Sequence, residues 1–107
     1  MSSGEIHIVA TFYPKPGKAD ELIAIGKECA EKVHATEPDT LIYYALKVQD
    51  KDEVIFVEKY KNQATVDAHL KTEHFQQLAA KVPDLTTKPF DIKIGSFLFG
   101  YEGRSKM

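Results

Sequence analysis

The hydrophobic period of this chain changes repeatedly, and the order of those changes leaves few folds open. Residues 5–13 (E-I-H-I-V-A-T-F-Y) are β-branched and aromatic, and Pro14 and Pro16 end them, because proline cannot donate to a strand ladder. From Lys18 the pattern turns helical: Leu22, Gly26, Cys29 and Val33 recur at spacings of four, three and four, with Asp20 and Glu21 in the first turn. Glu37-Pro38-Asp39 stops that helix, since a residue before proline avoids helical backbone. Thr40–Val48 and Val54–Tyr60 are two more strands around a polar connection at 49–53. Asn62 is suited to cap a short helix in which Val66, His69 and Leu70 share a face. Thr72 is suited to cap another, carrying Phe75, Leu78, Ala79 and Val82. Residues 83–89 read as an irregular connection. Phe90–Phe99 reads as a last strand with Ile92, Ile94 and Leu98 on one face.

The order β-α-β-β-α-β predicts an α+β, ferredoxin-like fold: a four-stranded antiparallel sheet with helices on one face. The strands are apolar on both faces, with Tyr43 and Ala45 opposing Tyr44 and Leu46, and Phe56 opposing Ile55 and Val57. A face left uncovered would be a larger apolar patch than a monomer usually exposes, so a two-fold homodimer is expected. The whole chain, 1–107, reads as one domain with its core at about 5–99 and a polar, fraying tail from Gly100.

Composition excludes several functions. The 14 basic residues are scattered and the formal net charge is −2, so neither nucleic acid nor an anionic membrane is an expected partner. Cys29 stands alone, which rules out an internal disulfide or a cysteine-rich metal centre. No apolar run reaches the roughly 18 to 20 residues of a membrane span, and Met-Ser-Ser-Gly-Glu does not read as a signal peptide. A soluble, cytoplasmic protein is expected. With no Gly-rich phosphate loop, nucleophile elbow or dinucleotide fingerprint, no tightly held nucleotide cofactor is indicated.

The chemistry is concentrated between Val54 and Phe75. Glu58 is a carboxylate in an apolar strand, costly if buried unpaired. It is either a structural acceptor, paired with a helix end, a lysine or His69, or a catalytic group. His69 lies inside an apolar helix face, as a packed core histidine or as a base. His74 is five residues on, about 140° round an unbroken helix, so the two imidazoles converge only if the helix breaks at Thr72. The spacing is not that of a zinc helix, and no metal is expected. Tyr43, Phe56, Tyr60 and Phe75 either line an aromatic pocket or pack the core.

Taken together, these residues resemble the antibiotic biosynthesis monooxygenase family of the dimeric α+β barrel superfamily. The resemblance runs from about Ile6 to Leu98. It rests on I-V-A-T-F-Y-P-K-P-G-K-A-D-E-L near the start, Glu37-Pro38-Asp39 followed by Tyr43, Glu58-Lys59-Tyr60, and H-L-K-T-E-H-F at 69–75. It implies a homodimer with a pocket in each subunit and a monooxygenase that oxidises an electron-rich aromatic (quinol, anthrone or phenol) with molecular oxygen, without metal or flavin. His69 or His74 would be the base and Glu58 its orienter, with Tyr43, Phe56, Tyr60 and Phe75 around the substrate. The haem-degrading branch uses a tryptophan and a histidine ligand. This chain has no tryptophan, carries His69 about where that tryptophan would be, and has Ala79 at the ligand position. Two alternatives share the scaffold: a polyketide cyclase or lyase, and a non-enzymatic ligand-binding or stress-response protein.

Overall fold

The computed structural model describes residues 4–104. Its elements are β1 (Ile6–Phe12), α1 (Ala19–Thr36), β2 (Thr40–Lys47), β3 (Val54–Tyr60), α2 (Gln63–Leu70), α3 (Glu73–Leu85) and β4 (Asp91–Gly95). The four strands form one sheet in the order β2-β3-β1-β4, every pair antiparallel. This is the expected ferredoxin-like α+β arrangement. Among the described residues, no helix is long and apolar enough to cross a membrane.

The inner face of the sheet packs against the helices. Ala10, Phe12, Val54 and Phe56 meet Leu22, Cys29 and Val33 of α1 and Leu78, Val82 and Leu85 of α3. The approach is close at Gly26, where an added Cβ would lie 2.9 Å from Phe56 Cζ, so at this helix position a side chain would collide with the sheet. Phe56 is in turn fixed edge-on between Phe12 and Tyr43, with ring centroids at 5.3 and 5.8 Å. The outer face is different. Val9, Tyr44 and Leu46 are exposed there, Tyr44 by 53%.

Both predicted caps form. Asn62 Oδ1 accepts from the Thr65 N–H at 2.9 Å, and Thr72 Oγ1 accepts from the Phe75 N–H at 3.2 Å. The tight connection between β2 and β3 places Asp50 at φ 62°, a left-handed conformation that aspartate tolerates better than most residues.

Two expectations are corrected. Residues 83–85 are not an irregular connection: α3 runs through Pro83 to Leu85. Proline there removes one backbone donor, but Val82 and Leu85 bury their side chains, and Thr86 Oγ1 donates to the Val82 carbonyl at 3.0 Å. Nor does the last strand reach Phe99. It ends at Gly95, opposite His7, because β1 begins at Ile6 and offers little further to pair with. Leu98 is therefore 85% exposed rather than in line with Ile92 and Ile94. Beyond β4 the tail is held by Glu102, which accepts from Lys59 Nζ at 2.6 Å. Residues 105–107, the end of the expected frayed tail, and residues 1–3 lie outside the described residues.

Candidate active site

A cavity of about 470 Å³ opens between the sheet and α2–α3. Its walls are mainly apolar: Ile8, Phe12, Phe56, Val66, Phe75 and Leu78, with Phe90 and Ile92 beside Lys88 on the side of the loop after α3. That loop is tied to the exit of β1, where Lys15 N–H donates to the Leu85 carbonyl and Thr87 N–H to that of Tyr13, both at 2.8 Å. Four polar side chains interrupt the apolar lining at the far side: Tyr43, Glu58, Tyr60 and His69. A mostly apolar cavity of this size with a few convergent polar groups is the usual form of a small-molecule site.

His69 is 3% exposed. Tyr43, Tyr60 and Phe75 surround its ring, with centroids at 5.5, 5.4 and 5.2 Å. Its Nδ1 lies 2.9 and 3.0 Å from the two oxygens of Glu37. The same carboxylate takes His74 Nε2 on Oε2 at 2.5 Å and the Thr40 hydroxyl on Oε1 at 2.8 Å. The orienter of both histidines is therefore Glu37. Glu58, expected in that role, has Tyr60 as its hydrogen-bond partner, the phenol donating to Oε1 at 2.5 Å. The reason is register: Glu58 and Tyr60 are two residues apart on one strand, so both point inward side by side.

Glu37 reaches the site because Pro38 turns the chain out of α1 there. Its backbone takes up φ −122°, ψ 77°, while its N–H still donates to the Val33 carbonyl. Asp39 then accepts from the Lys61 N–H at 3.0 Å, which fastens this corner to the end of β3 beside α2. The two histidines converge by the predicted break. Helix α2 ends at Leu70, Thr72 starts α3, and the rings come to 6.3 Å between centroids. They are not equivalent. His69 lines the large cavity, whereas His74 lines a narrow crevice with Cys29 and Lys32.

The protonation states follow from the surroundings. Burial raises the Glu37 carboxyl, but the hydrogen bonds of His74, Thr40 and His69 outweigh it, leaving Glu37 below the usual carboxylate range. An ionised carboxylate only accepts, so His69 Nδ1 and His74 Nε2 each carry a proton toward it. Burial holds His69 below the ordinary imidazole value despite Glu37, so its ring is neutral at pH 7 and its lone pair sits on Nε2. Among the described residues Nε2 has no hydrogen-bond partner, and it is not among the fully enclosed orphan atoms. Burial pushes Glu58 up, only partly offset by Tyr60, and Glu37 adds to the rise. Burial and the neighbouring Glu58 push Tyr43 and Tyr60 far above ordinary phenols, so both are hydroxyl donors. The wall thus presents a neutral, hydrogen-bonded imidazole, His69, and a carboxyl biased toward its neutral form, Glu58.

The signal that would have found Glu37 was its place before Pro38. Nothing in the spacing, 32 residues before His69, connects the two.

Known proteins place the chain. A solved protein of Mycobacterium tuberculosis superposes with a TM-score of 0.85 at 21% identity, over 92% of this chain and 99% of its own. A Caulobacter crescentus structure, provisionally described as an antibiotic biosynthesis monooxygenase, gives 0.85 at 24%, over 91% and 92%. At such identities the likeness is one of fold. In sequence, an uncharacterised Synechocystis protein is 35% identical over 90 residues, which is 83% of this chain. The chain spans 60% of that protein's length. YcnE of Bacillus subtilis, provisionally named a monooxygenase, is 28% identical over 78 residues, covering 73% of this chain and 82% of YcnE. The sequence profile described as "Antibiotic biosynthesis monooxygenase" matches residues 5–81, and the chain belongs to that family.

Proposed function

We propose that this protein is a homodimeric, cofactor-independent monooxygenase that oxidises an electron-rich aromatic of the quinol, anthrone or phenol type with molecular oxygen. The observation that carries the reading is His69 in the wall of the apolar cavity, its Nδ1 held from behind by Glu37 and its Nε2 left to meet a ligand. Triplet oxygen reacts slowly with closed-shell molecules, but an aromatic anion can pass it an electron directly. The protein then has three tasks: to bind the ring, remove its proton and exclude water. Tyr43, Phe56, Tyr60 and Phe75 supply the aromatic surface. His69 Nε2 takes the proton, and Glu37 stabilises the resulting imidazolium through Nδ1. Glu58, held toward its neutral form, donates to the oxygen that becomes negative. For an anthrone-type methylene the overall change is R₂CH₂ + O₂ → R₂C=O + H₂O. His74 supports the reaction from behind, through Glu37. The exposed outer face, with Val9, Tyr44 and Leu46, supports the pairing of two copies.

The test is oxygen uptake by purified, metal-free protein on a panel of anthrones, naphthols and hydroquinones. Uptake without added cofactor is expected, falling by about 10²- to 10⁴-fold in His69→Ala, the usual contribution of a general base. No uptake above the buffer rate on any compound would refute the monooxygenase. One observation favours a second reading: a base and a neutral-biased acid share one cavity, as a polyketide cyclase or lyase requires. Oxygen-independent turnover that needs both His69 and Glu58 would select it. Ligand retention without turnover would select a binding protein.

A further inference from the structure

Glu37, His69 and His74 bring a carboxylate oxygen, Nδ1 and Nε2 within 4.8 Å of one another. Two imidazoles and one carboxylate are a donor set of intermediate softness, the type that takes zinc, cobalt, nickel or ferrous iron in preference to magnesium or calcium. We propose that these three side chains form a binding site for one divalent transition-metal ion, on the opposite side of His69 from the aromatic cavity.

Four observations support this. First, the donors need only small shifts. His69 and His74 now share protons with the carboxylate at 2.9 and 2.5 Å. Around a tetrahedral ion with bonds of about 2.0–2.1 Å, ligand atoms stand roughly 3.3 Å apart. One ion replacing both shared protons moves Glu37 outward and draws the two nitrogens together. Second, the anion lacks a fixed countercharge. Among the described residues its only ion-pair partners are these two histidines, with no lysine or arginine. Third, the carboxylate has an outer partner, the Thr40 hydroxyl, of the kind that orients metal ligands. Fourth, there is a path in. A groove of about 430 Å³ of mixed character, lined by Glu37, Asp39, Asn62 and His69 among others, reaches two of the three ligands from outside and has room for water as a fourth ligand.

The site would also control the cavity, a consequence that rests on the proposed role of His69 as base. An ion on Nδ1 leaves the ring's single proton on Nε2. The cavity then faces a donor where it had an acceptor, so metal loading switches the base off.

Full-length, metal-free protein is titrated with Co²⁺ and with Zn²⁺, followed by visible absorption for cobalt and by calorimetry for both. One ion per chain is expected, with cobalt ligand-field bands of a nitrogen- and oxygen-ligated site. Affinity is expected to fall at least about tenfold in both Glu37→Gln and His74→Ala. Should either variant fail to fold, the wild type suffices: diamagnetic Zn²⁺ is expected to give its largest ring-proton NMR shifts on His69 and His74, with those of His7 and His34 little moved. The absence of saturable binding up to millimolar metal would overturn the proposal. So would unchanged affinity in folded variants, or zinc shifts larger on His7 or His34 than on His69 and His74. No substrate or oxygen enters these measurements, so they stand or fall apart from the oxygen-uptake assay.

Discussion

Replacing Gly26 by alanine tests whether α1 is pressed against the sheet as closely as described. In an ordinary helix interior the change is favourable, by about 0.8–1.0 kcal/mol, because alanine loses less backbone entropy on folding. Here the new methyl would lie 2.9 Å from Phe56 Cζ. The phenyl ring is flanked by Phe12 and Tyr43, so its way out is toward the cavity it also lines. Forcing a methyl into a packed core typically costs about 1–3 kcal/mol. The net expectation is a loss of about 0–2 kcal/mol, centred near 1, where propensity alone predicts a gain of the same size. Urea unfolding at fixed protein concentration reads the difference, with an unchanged m-value as evidence that only stability moved. Since Phe56 also lines the cavity, its displacement should weaken the binding of any ligand that fills the site. A Gly26→Ala variant stabilised by the full helical increment would refute the close packing of α1 on β3.

Three further outcomes are expected. Glu58→Gln keeps an acceptor for the Tyr60 phenol but cannot ionise; since the folded protein holds the Glu58 pKa above its unfolded value, ionised Glu58 costs stability at higher pH. The variant should be the more stable protein at pH 8 by chemical denaturation, with its advantage shrinking as pH falls through the raised Glu58 pKa. Thr72→Ala should lose about 1 kcal/mol with its cap and loosen the convergence of His69 on His74, seen as a changed His74 ring environment by NMR. Leu46→Lys, on the outer face of the sheet, should shift the proposed dimer toward monomer in sedimentation while leaving the circular dichroism of the subunit unchanged.

The sequence disclosed whatever depended on neighbours along the chain. Period-two alternation in Val54–Tyr60 places Phe56, Glu58 and Tyr60 on the inner face, and the polar atoms of Asn62 and Thr72 identify both helix starts. It was silent where side chains meet across the fold. Glu37 reads locally as a residue that ends a helix, and its meeting with His69 and His74 exists only once β2 has returned along β3. Pro83 was misleading for the complementary reason. Local rules end a helix there, and the burial of Val82 and Leu85, a tertiary effect, carries it through. Glu58 was legible as an inward-facing acid, but its partner was settled by the strand it shares with Tyr60 rather than by the helix that follows.

The interruption between α2 and α3 has a consequence for divergence. His69 and His74 meet because the chain breaks between α2 and α3, each helix started by its own cap. A relative could retain both imidazoles, letter for letter, and still lack the constellation if a helix-forming residue at position 72 fused the segments. Conversely, a relative with the break and a carboxylate before proline could rebuild it with different aromatics around it. In this lineage, inheritance of the site would be better judged by punctuation of the backbone than by a count of shared histidines.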